Sequence, residues 1–270
     1  MQPKPTHLER RYADVFQDLS VAQAYANRAP YPAGLFAALE GLLREPRTIL
    51  DAGCGTGDIA RRLSLAAERI DAVDVSANMI EAGRRQPGGS GHRLRWIVGA
   101  IEEAPLDGPY GLITAGESVA WFDWEIVFAR FAEVLAPDAV LALVTRVPAG
   151  AEEWLFAEAS PVFAKYSTNR EFRSINLIDE LISRGLFTVD GHESIHPQRW
   201  TPTIAAWIDG QHSRNGCSRE RMGDAAAMFD AELGSVIERV ASKGLVNIRD
   251  GRLQLAAGAS VWWGLPRGPA

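Results

Sequence analysis

The sequence predicts a doubly wound α/β fold, a mostly parallel sheet with helices on both faces. Three observations predict it. Short apolar runs of strand length recur at residues 48–51, 70–75, 94–98, 112–115 and 140–145. Stretches of helical character separate them, which is the rhythm of strands buried on both faces. The first run ends in an acid and passes directly into a turn with three glycines, Asp51-Ala52-Gly53-Cys54-Gly55-Thr56-Gly57, ahead of a helical stretch over 59–67.

The flanking elements follow in order. Residues 8–44 read as helices broken at Arg28-Ala29-Pro30-Tyr31-Pro32, where two prolines end one helix and start the next. Ser76 is placed to cap the helix after the second strand. Pro87-Gly88-Gly89-Ser90-Gly91 is a loop. After Arg146 the alternation stops: 150–185 and 203–243 read as mainly helical, with one strand over 187–195. Asp250-Gly251 signals a hairpin, and Ser260-Val261-Trp262-Trp263 reads as a last strand. An antiparallel last strand accounts for hairpin chemistry at the end of a parallel sheet.

A chain of 270 residues suits one large α/β domain with an insertion or a small cap. Formal net charge is -6 and no basic face is apparent, so a nucleic-acid partner is not expected. Cys54 and Cys217 lack CxxC spacing and nearby histidines, which argues against a zinc site or a disulfide framework and fits a reducing compartment. No apolar stretch follows Met1-Gln2-Pro3-Lys4-Pro5, and no run reaches the roughly 18 apolar residues of a membrane span. The expected location is the cytoplasm, with no membrane partner.

The glycine turn carries the chemistry. Glycine lets a ligand lie against the backbone, and free N–H groups at a helix start hold an anionic group. A dinucleotide site needs GxGxxG, whereas here Asp58 stands where the third glycine belongs. Asp51, just before the glycines, would repel a pyrophosphate but suits a sulfonium ligand with an amino-acid tail. Asp74, about twenty residues on, is placed to accept both hydroxyls of a ribose; the alternative is a cap for the following helix, a role that Ser76 already fills.

Asp51 to Gly57 resembles motif I of the class I S-adenosylmethionine (SAM)-dependent methyltransferases, and Asp74 resembles their ribose acid. The resemblance covers residues 47–146. It implies a seven-stranded sheet of order 3-2-1-4-5-7-6 with the last strand reversed. The chain then divides into N-terminal helices forming a lid (1–46), a SAM-binding Rossmann-like core (47–146), a helical cap with one core strand (147–245) and a C-terminal hairpin completing the sheet (246–270). By the same resemblance Gly53 and Gly55 touch the methionine part of SAM, with Asp51 and Gly116 nearby. Met79 packs on the adenine, Ala100 and Ile101 flank its edge, and Val75 follows the ribose acid. The family often has an aspartate where Ala100 stands, leaving the adenine amine to Glu102 or a backbone carbonyl.

The stretch from Ala115 to Asp123 lacks the Asn/Asp-Pro-Pro-Tyr and Pro-Cys signatures of base methylation. It is similar to a small-molecule subgroup (the methyltransferase-11 type) in which it commonly reads Ala-Gln-Ala-Leu-His-Trp-Phe. Tyr25…Arg28-Ala29-Pro30-Tyr31-Pro32 resembles the same subgroup, but Ala120 replaces its histidine. The implied activity is methyl transfer from SAM to a small-molecule acceptor, mainly by alignment. No bidentate cluster of acids is visible, so metal-independent chemistry is expected. Candidates near the reacting atoms are Glu117, Trp121, His196, His212 and Tyr25. Each has a plain structural alternative: a solvated loop acid, core packing or a satisfied histidine. Arg146 and Arg199 are candidates for an acceptor carboxylate, Trp121 and Trp124 for an aromatic wall, and Tyr25 and Tyr31 for a helix that closes over SAM. The aromatic-rich cap is expected to enclose an apolar acceptor, although most of its large side chains serve to dock helices. A non-catalytic SAM-binding protein and an NAD-dependent oxidoreductase are the alternatives.

Overall fold

The computed structural model describes residues 4–268; residues 1–3 and 269–270, the outer ends of the 1–46 and 246–270 segments and the start of the N-terminal stretch read for a secretory signal, lie outside the described residues. Nine strands occur among those described: β1 Thr48–Ala52, β2 Arg69–Asp74, β3 Leu94–Val98, β4 Leu112–Gly116, β5 Leu141–Ala149, β6 Phe187–Trp200, β7 Ile248–Arg249, β8 Arg252–Leu253 and β9 Leu255–Pro266. Seven of them form one sheet in the order β3-β2-β1-β4-β5-β9-β6. Strands β1 to β5 are parallel, and β9 runs antiparallel to both β5 and β6. Counted within the sheet this is the expected order, with only the last strand reversed.

Strand geometry sends successive side chains to opposite faces, and both faces of the parallel part are covered. Leu50, Ile113, Leu141 and Leu143 pack with Phe128 and Phe131 of the helix Trp124–Val134. Ile49, Leu112 and Ile70 pack on the other side with Leu35 and Leu39 of the helix Ala33–Leu42. Two-sided burial is why these strands read as continuous apolar runs. The regular helix within the expected 59–67 stretch is only Ala60–Leu63, with turns after it.

The Asp250-Gly251 hairpin exists but does not complete the sheet. Both residues are left-handed, φ 50° and 68°, as a two-residue hairpin turn requires, yet they join β7 to β8 in a separate two-stranded sheet. β9 alone fills the seventh position. Strand β6 is longer than expected, reaching Trp200. Its register against β9 shifts between Val189 and Gly191 and between Ile195 and Gln198, and most of its side chains are exposed, so it lacks the apolar signal of the inner strands.

The helices Ala151–Tyr166, Ile204–Gln211 and Ala225–Ser242 build a separate core from Leu155, Trp207, Phe229, Leu233 and Ile237. This cap grips the N-terminal strap of short helices. Arg221 donates to Asp18 at 2.8 Å, Asn27 to Asp209 at 2.9 Å, and Asn215 to the Tyr12 carbonyl at 2.6 Å. The strap is thereby held across the C-terminal tips of the parallel strands, where Ala13, Phe16 and Tyr25 line a cavity.

Candidate functional site

That cavity has a volume of about 630 Å³. It lies where α/β sheets bind ligands, beyond the carboxyl ends of the strands. Gly53, Gly55, Asp74, Val75, Met79, Ala100, Ile101 and Gly116 all line it. The turn after β1 is built for close approach: Gly53, Gly55 and Gly57 have φ of 65°, 55° and 73°. A Cβ on Gly53 would stand 2.4 Å from the Ser118 Cβ. Across the turn, Asp74 at the tip of β2 accepts from the Gly55 N–H at 2.7 Å and the Ser76 N–H at 2.8 Å. These two bonds fix the carboxylate and use one lone pair on each oxygen, leaving the second pair of each for a diol. Burial raises its pKa, and the same two N–H groups oppose that rise. Ser76 caps the next helix, its hydroxyl accepting from Met79.

Asp51 does not reach the cavity. It is buried beneath the turn, accepting from the Thr114 hydroxyl at 2.9 Å and from the Ala60 N–H at 3.1 Å. Burial pushes its carboxyl up to about 7, against the pull of those two donors. Its position before the glycines therefore anchors β1, β4 and the following helix to one another.

On the far side of Asp74 the walls become apolar. Met79 and Ile101 are buried, and Trp121 meets Phe16 of the strap edge-to-face at 5.4 Å. Glu102 lines this end, but its carboxylate accepts from the Asp123 N–H at 2.8 Å. Lys4 also lines it, donating to the Phe122 carbonyl at 2.9 Å and lying 5.1 Å from the Trp124 ring. Burial lowers its ammonium pKa to about 8, opposed by Asp123, Glu102 and Glu9. Trp124 is buried, its indole N–H satisfied by the Val119 carbonyl.

At the tip of β4 stands Glu117, in a left-handed conformation with φ 60°. Arg146 donates to its Oε2 at 2.6 Å and Arg28 at 3.4 Å. Burial favours its neutral form, but Arg146 and Arg28 outweigh burial and hold its carboxyl below the usual range. Arg146 is fully engaged: it also donates to Asp58 at 2.9 Å and to the Ala29 carbonyl at 2.8 Å, and lies 3.7 Å over the Tyr31 ring. It is a brace between strap and sheet rather than a ligand for an acceptor. Tyr25 and Tyr31 have their phenol pKa values raised, chiefly by burial. Tyr25 lines the cavity 3.5 Å from where a Cβ on Gly55 would be.

Neither histidine candidate belongs to this site. His196 is exposed on β6. His212 is fully buried in the cap, its ring nitrogens facing the Cys217 carbonyl and the Asp230 carboxylate, each at 2.7 Å. Arg199 is exposed on β6, away from the cavity lining, and donates to Gln254 at 2.6 Å. The cap aromatics serve mainly its own core; Arg184 and Leu186 are the residues it lends to the cavity wall. Ser118, Phe16 and Lys4 line the cavity without having been singled out. Ser118 is tied to the Ala52 carbonyl at 2.7 Å and faces Gly53, a neighbour that only the fold brings near. Among the described residues no three histidine, cysteine or acidic groups gather as a metal site, and no helix is long and apolar enough to cross a membrane.

Residues 49–138 match the family model described as a methyltransferase domain. The malonyl-[acyl-carrier protein] O-methyltransferase of Halalkalibacterium halodurans is 40% identical over 86 residues, 29% of this chain and 31% of that protein. That of Anoxybacillus flavithermus is 33% identical over 87 residues, 32% of this chain and 33% of its own. The matched part spans about a third of the length of these relatives. A SAM-dependent methyltransferase from Thiobacillus denitrificans, solved with S-adenosylhomocysteine, superposes with a TM-score of 0.51 at 16% identity, covering 92% of this chain and 97% of that one. The YcgJ protein of Bacillus subtilis superposes at 0.53 with 17% identity, covering 86% and 97%. The sheet order with its reversed β9, the glycine turn facing Asp74 and the match over 49–138 agree: the chain has the class I SAM-dependent methyltransferase fold, built around a methyltransferase domain.

Proposed function

We propose that this protein transfers the methyl group of SAM to an acceptor oxygen that arrives already ionised, a carboxylate. The observation that carries the proposal is the state of the groups at the β4 tip. Glu117 is committed to two arginines, Tyr25 and Tyr31 hold their protons, Ala120 replaces the subgroup's histidine, and His196 and His212 lie elsewhere. None of these groups is free to accept a proton, and a carboxylate has none to lose. Bound SAM supplies a methyl carbon activated by its positive sulfur. The carboxylate lone pair forms the new C–O bond, the C–S pair returns to sulfur, and a methyl ester and neutral S-adenosylhomocysteine result. Two opposite charges disappear, so removal from water favours the step.

The residues divide the work as follows. Asp74 holds the ribose hydroxyls, and the backbone at Gly53, Gly55 and Gly116 receives the methionine end. Met79, Ile101, Trp121 and Phe16 enclose the adenine beside Val75 and Ala100, and the strap excludes water. Fixing the acceptor against the methyl group contributes on the order of 7–11 kcal/mol. The relatives matched over the core are named for O-methylation of a malonyl-carrier protein, and a malonyl group ends in a carboxylate. That likeness supports the acceptor class and stops at the core, because the cap is not part of a matched domain.

The test is incubation with SAM and a panel of carboxylic acids and malonyl thioesters, with products read by mass spectrometry. The expected result is S-adenosylhomocysteine together with a methyl ester. Methylation of amines or thiols in preference to every carboxylate overturns the acceptor class. Binding of NAD and not of SAM, read by calorimetry, overturns the whole reading.

A further inference from the structure

The amino-acid tail of SAM carries an ammonium, and an ammonium taken out of water needs a charged acceptor. The acids around the glycine turn differ in what they can still offer. Asp51 is buried beneath the turn and held by the Thr114 hydroxyl and the Ala60 N–H. Asp58 gives one oxygen to Arg61 at 2.8 Å and the other to Arg146 at 2.9 Å, and it does not line the cavity. Asp74 stands at the ribose position, each oxygen fixed by a backbone N–H. Glu117 lines the cavity and keeps 30% of its side-chain surface open. Both of its arginines reach the same oxygen, Arg146 and Arg28 donating to Oε2 at 2.6 Å and 3.4 Å. Oε1 accepts from none of the described residues.

The same two arginines tie Glu117 to the glycine turn. Arg146 bridges it to Asp58, the residue after Gly57. Arg28 stacks 4.2 Å over the Tyr25 ring, which lies 3.5 Å from where a Cβ on Gly55 would stand. Ser213 of the cap fixes Arg28 in turn, accepting from it at 2.7 Å and 3.0 Å. Burial favours a neutral Glu117, but the two guanidinium groups outweigh it and keep the carboxylate ionised. We propose that Glu117 anchors the ammonium of the cofactor: Oε1 accepts from it while Oε2 stays with the arginines, so that the tail, the sulfur and its methyl group are held in place. The acid for the amino-acid tail, which the sequence pattern puts at Asp51, then stands at the tip of β4. The proposal rests on the cofactor reading given above and is independent of the acceptor class.

The experiment is calorimetric titration of the full chain with S-adenosylhomocysteine and with its analogue in which hydrogen replaces the amino group. The two compounds differ at the ammonium alone. The wild type is expected to prefer S-adenosylhomocysteine by about 10- to 100-fold, the value of a charge-assisted hydrogen bond. Glu117→Gln is expected to lose most of that preference without weakening the amine-free analogue. Glu117→Asp, which keeps the charge one methylene short, is expected to retain an intermediate preference. The anchor is overturned if the wild type binds both compounds equally or if Glu117→Gln keeps the full preference. Equal weakening of both compounds in Glu117→Gln marks a purely structural role and likewise overturns it. Where Glu117→Gln does not fold, Glu117→Asp decides, and the full preference there overturns the anchor. Failure of the wild type to bind S-adenosylhomocysteine is a separate result, which defeats the cofactor reading itself.

Discussion

Arg146→Met removes the brace between strap and sheet while keeping a stem of similar shape over Tyr31. The Arg146 side chain is only 12% exposed, and its guanidinium serves Glu117, Asp58 and the Ala29 carbonyl. Stranding the partners of a buried ion pair costs about 3–5 kcal/mol. Glu117 and Asp58 are 30% and 33% exposed, so water recovers part of this, and about 2 kcal/mol is the expected loss. For a chain of this size that is a fall of roughly 4–8 °C in Tm. The sign with pH follows from Glu117, whose folded pKa lies below its ordinary value of 4.5. Its contribution is present above that value and is lost as pH falls through the depressed one. Urea unfolding of both proteins at pH 7 and pH 4 is the assay. The gap is expected to be widest at pH 7 and to narrow on acidification. A gap under about 0.5 kcal/mol at pH 7, the size of an ordinary surface change, or one indifferent to pH, refutes the ion-pair argument.

Three more expectations bear on the cavity floor. Asp74→Ala weakens S-adenosylhomocysteine binding at least about tenfold, the loss of one charge-assisted contact, with the unfolding midpoint kept; unchanged calorimetric affinity removes Asp74 from the ribose role. Asp51 has its carboxyl raised from 3.8 to about 7, so the stability it provides is complete below the lower value and disappears as pH rises through the upper one. Asp51→Asn, with Thr114 turned to accept, flattens that decline by up to about 4 kcal/mol, and parallel urea curves for both proteins between pH 5 and pH 8 contradict it. Gly53→Ala sets a Cβ 2.4 Å from Ser118 on a left-handed backbone, costing about 1–3 kcal/mol. Ser118→Gly in the same chain relieves the clash but not the backbone strain, so only partial recovery of cofactor affinity is consistent with this geometry.

The inner sheet was legible because parallel strands buried on both faces must be apolar throughout, as Ile49 and Leu50 illustrate by facing opposite cores. The edge was not: β6 carries Asp190, Glu193, His196 and Arg199 in one strand, and its pairing depends on β9 arriving from more than fifty residues away. The glycine turn was legible because close approach and left-handed backbone restrict the residue type, and Asp74 was legible as the acid that ends the second strand. Asp51 was misplaced because its spacing from the glycines says nothing about the side of β1 on which its carboxylate emerges. His212 and Arg146 look reactive in a sequence, and only their partners reveal that both ring nitrogens of His212 are bonded and that Arg146 is tied to two carboxylates and a carbonyl.

The links from Asp18, Asn27 and Tyr12 to the cap have a kinetic consequence. The segment that roofs the cavity is tied to the cap, so neither swings aside alone. On the proposed chemistry, cofactor and product leave only when strap and cap part together, and the rate of that parting is expected to set a ceiling on turnover. Because the Arg221–Asp18 tie is an ion pair and partly wetted, raising ionic strength is expected to loosen it before it disturbs the sheet beneath.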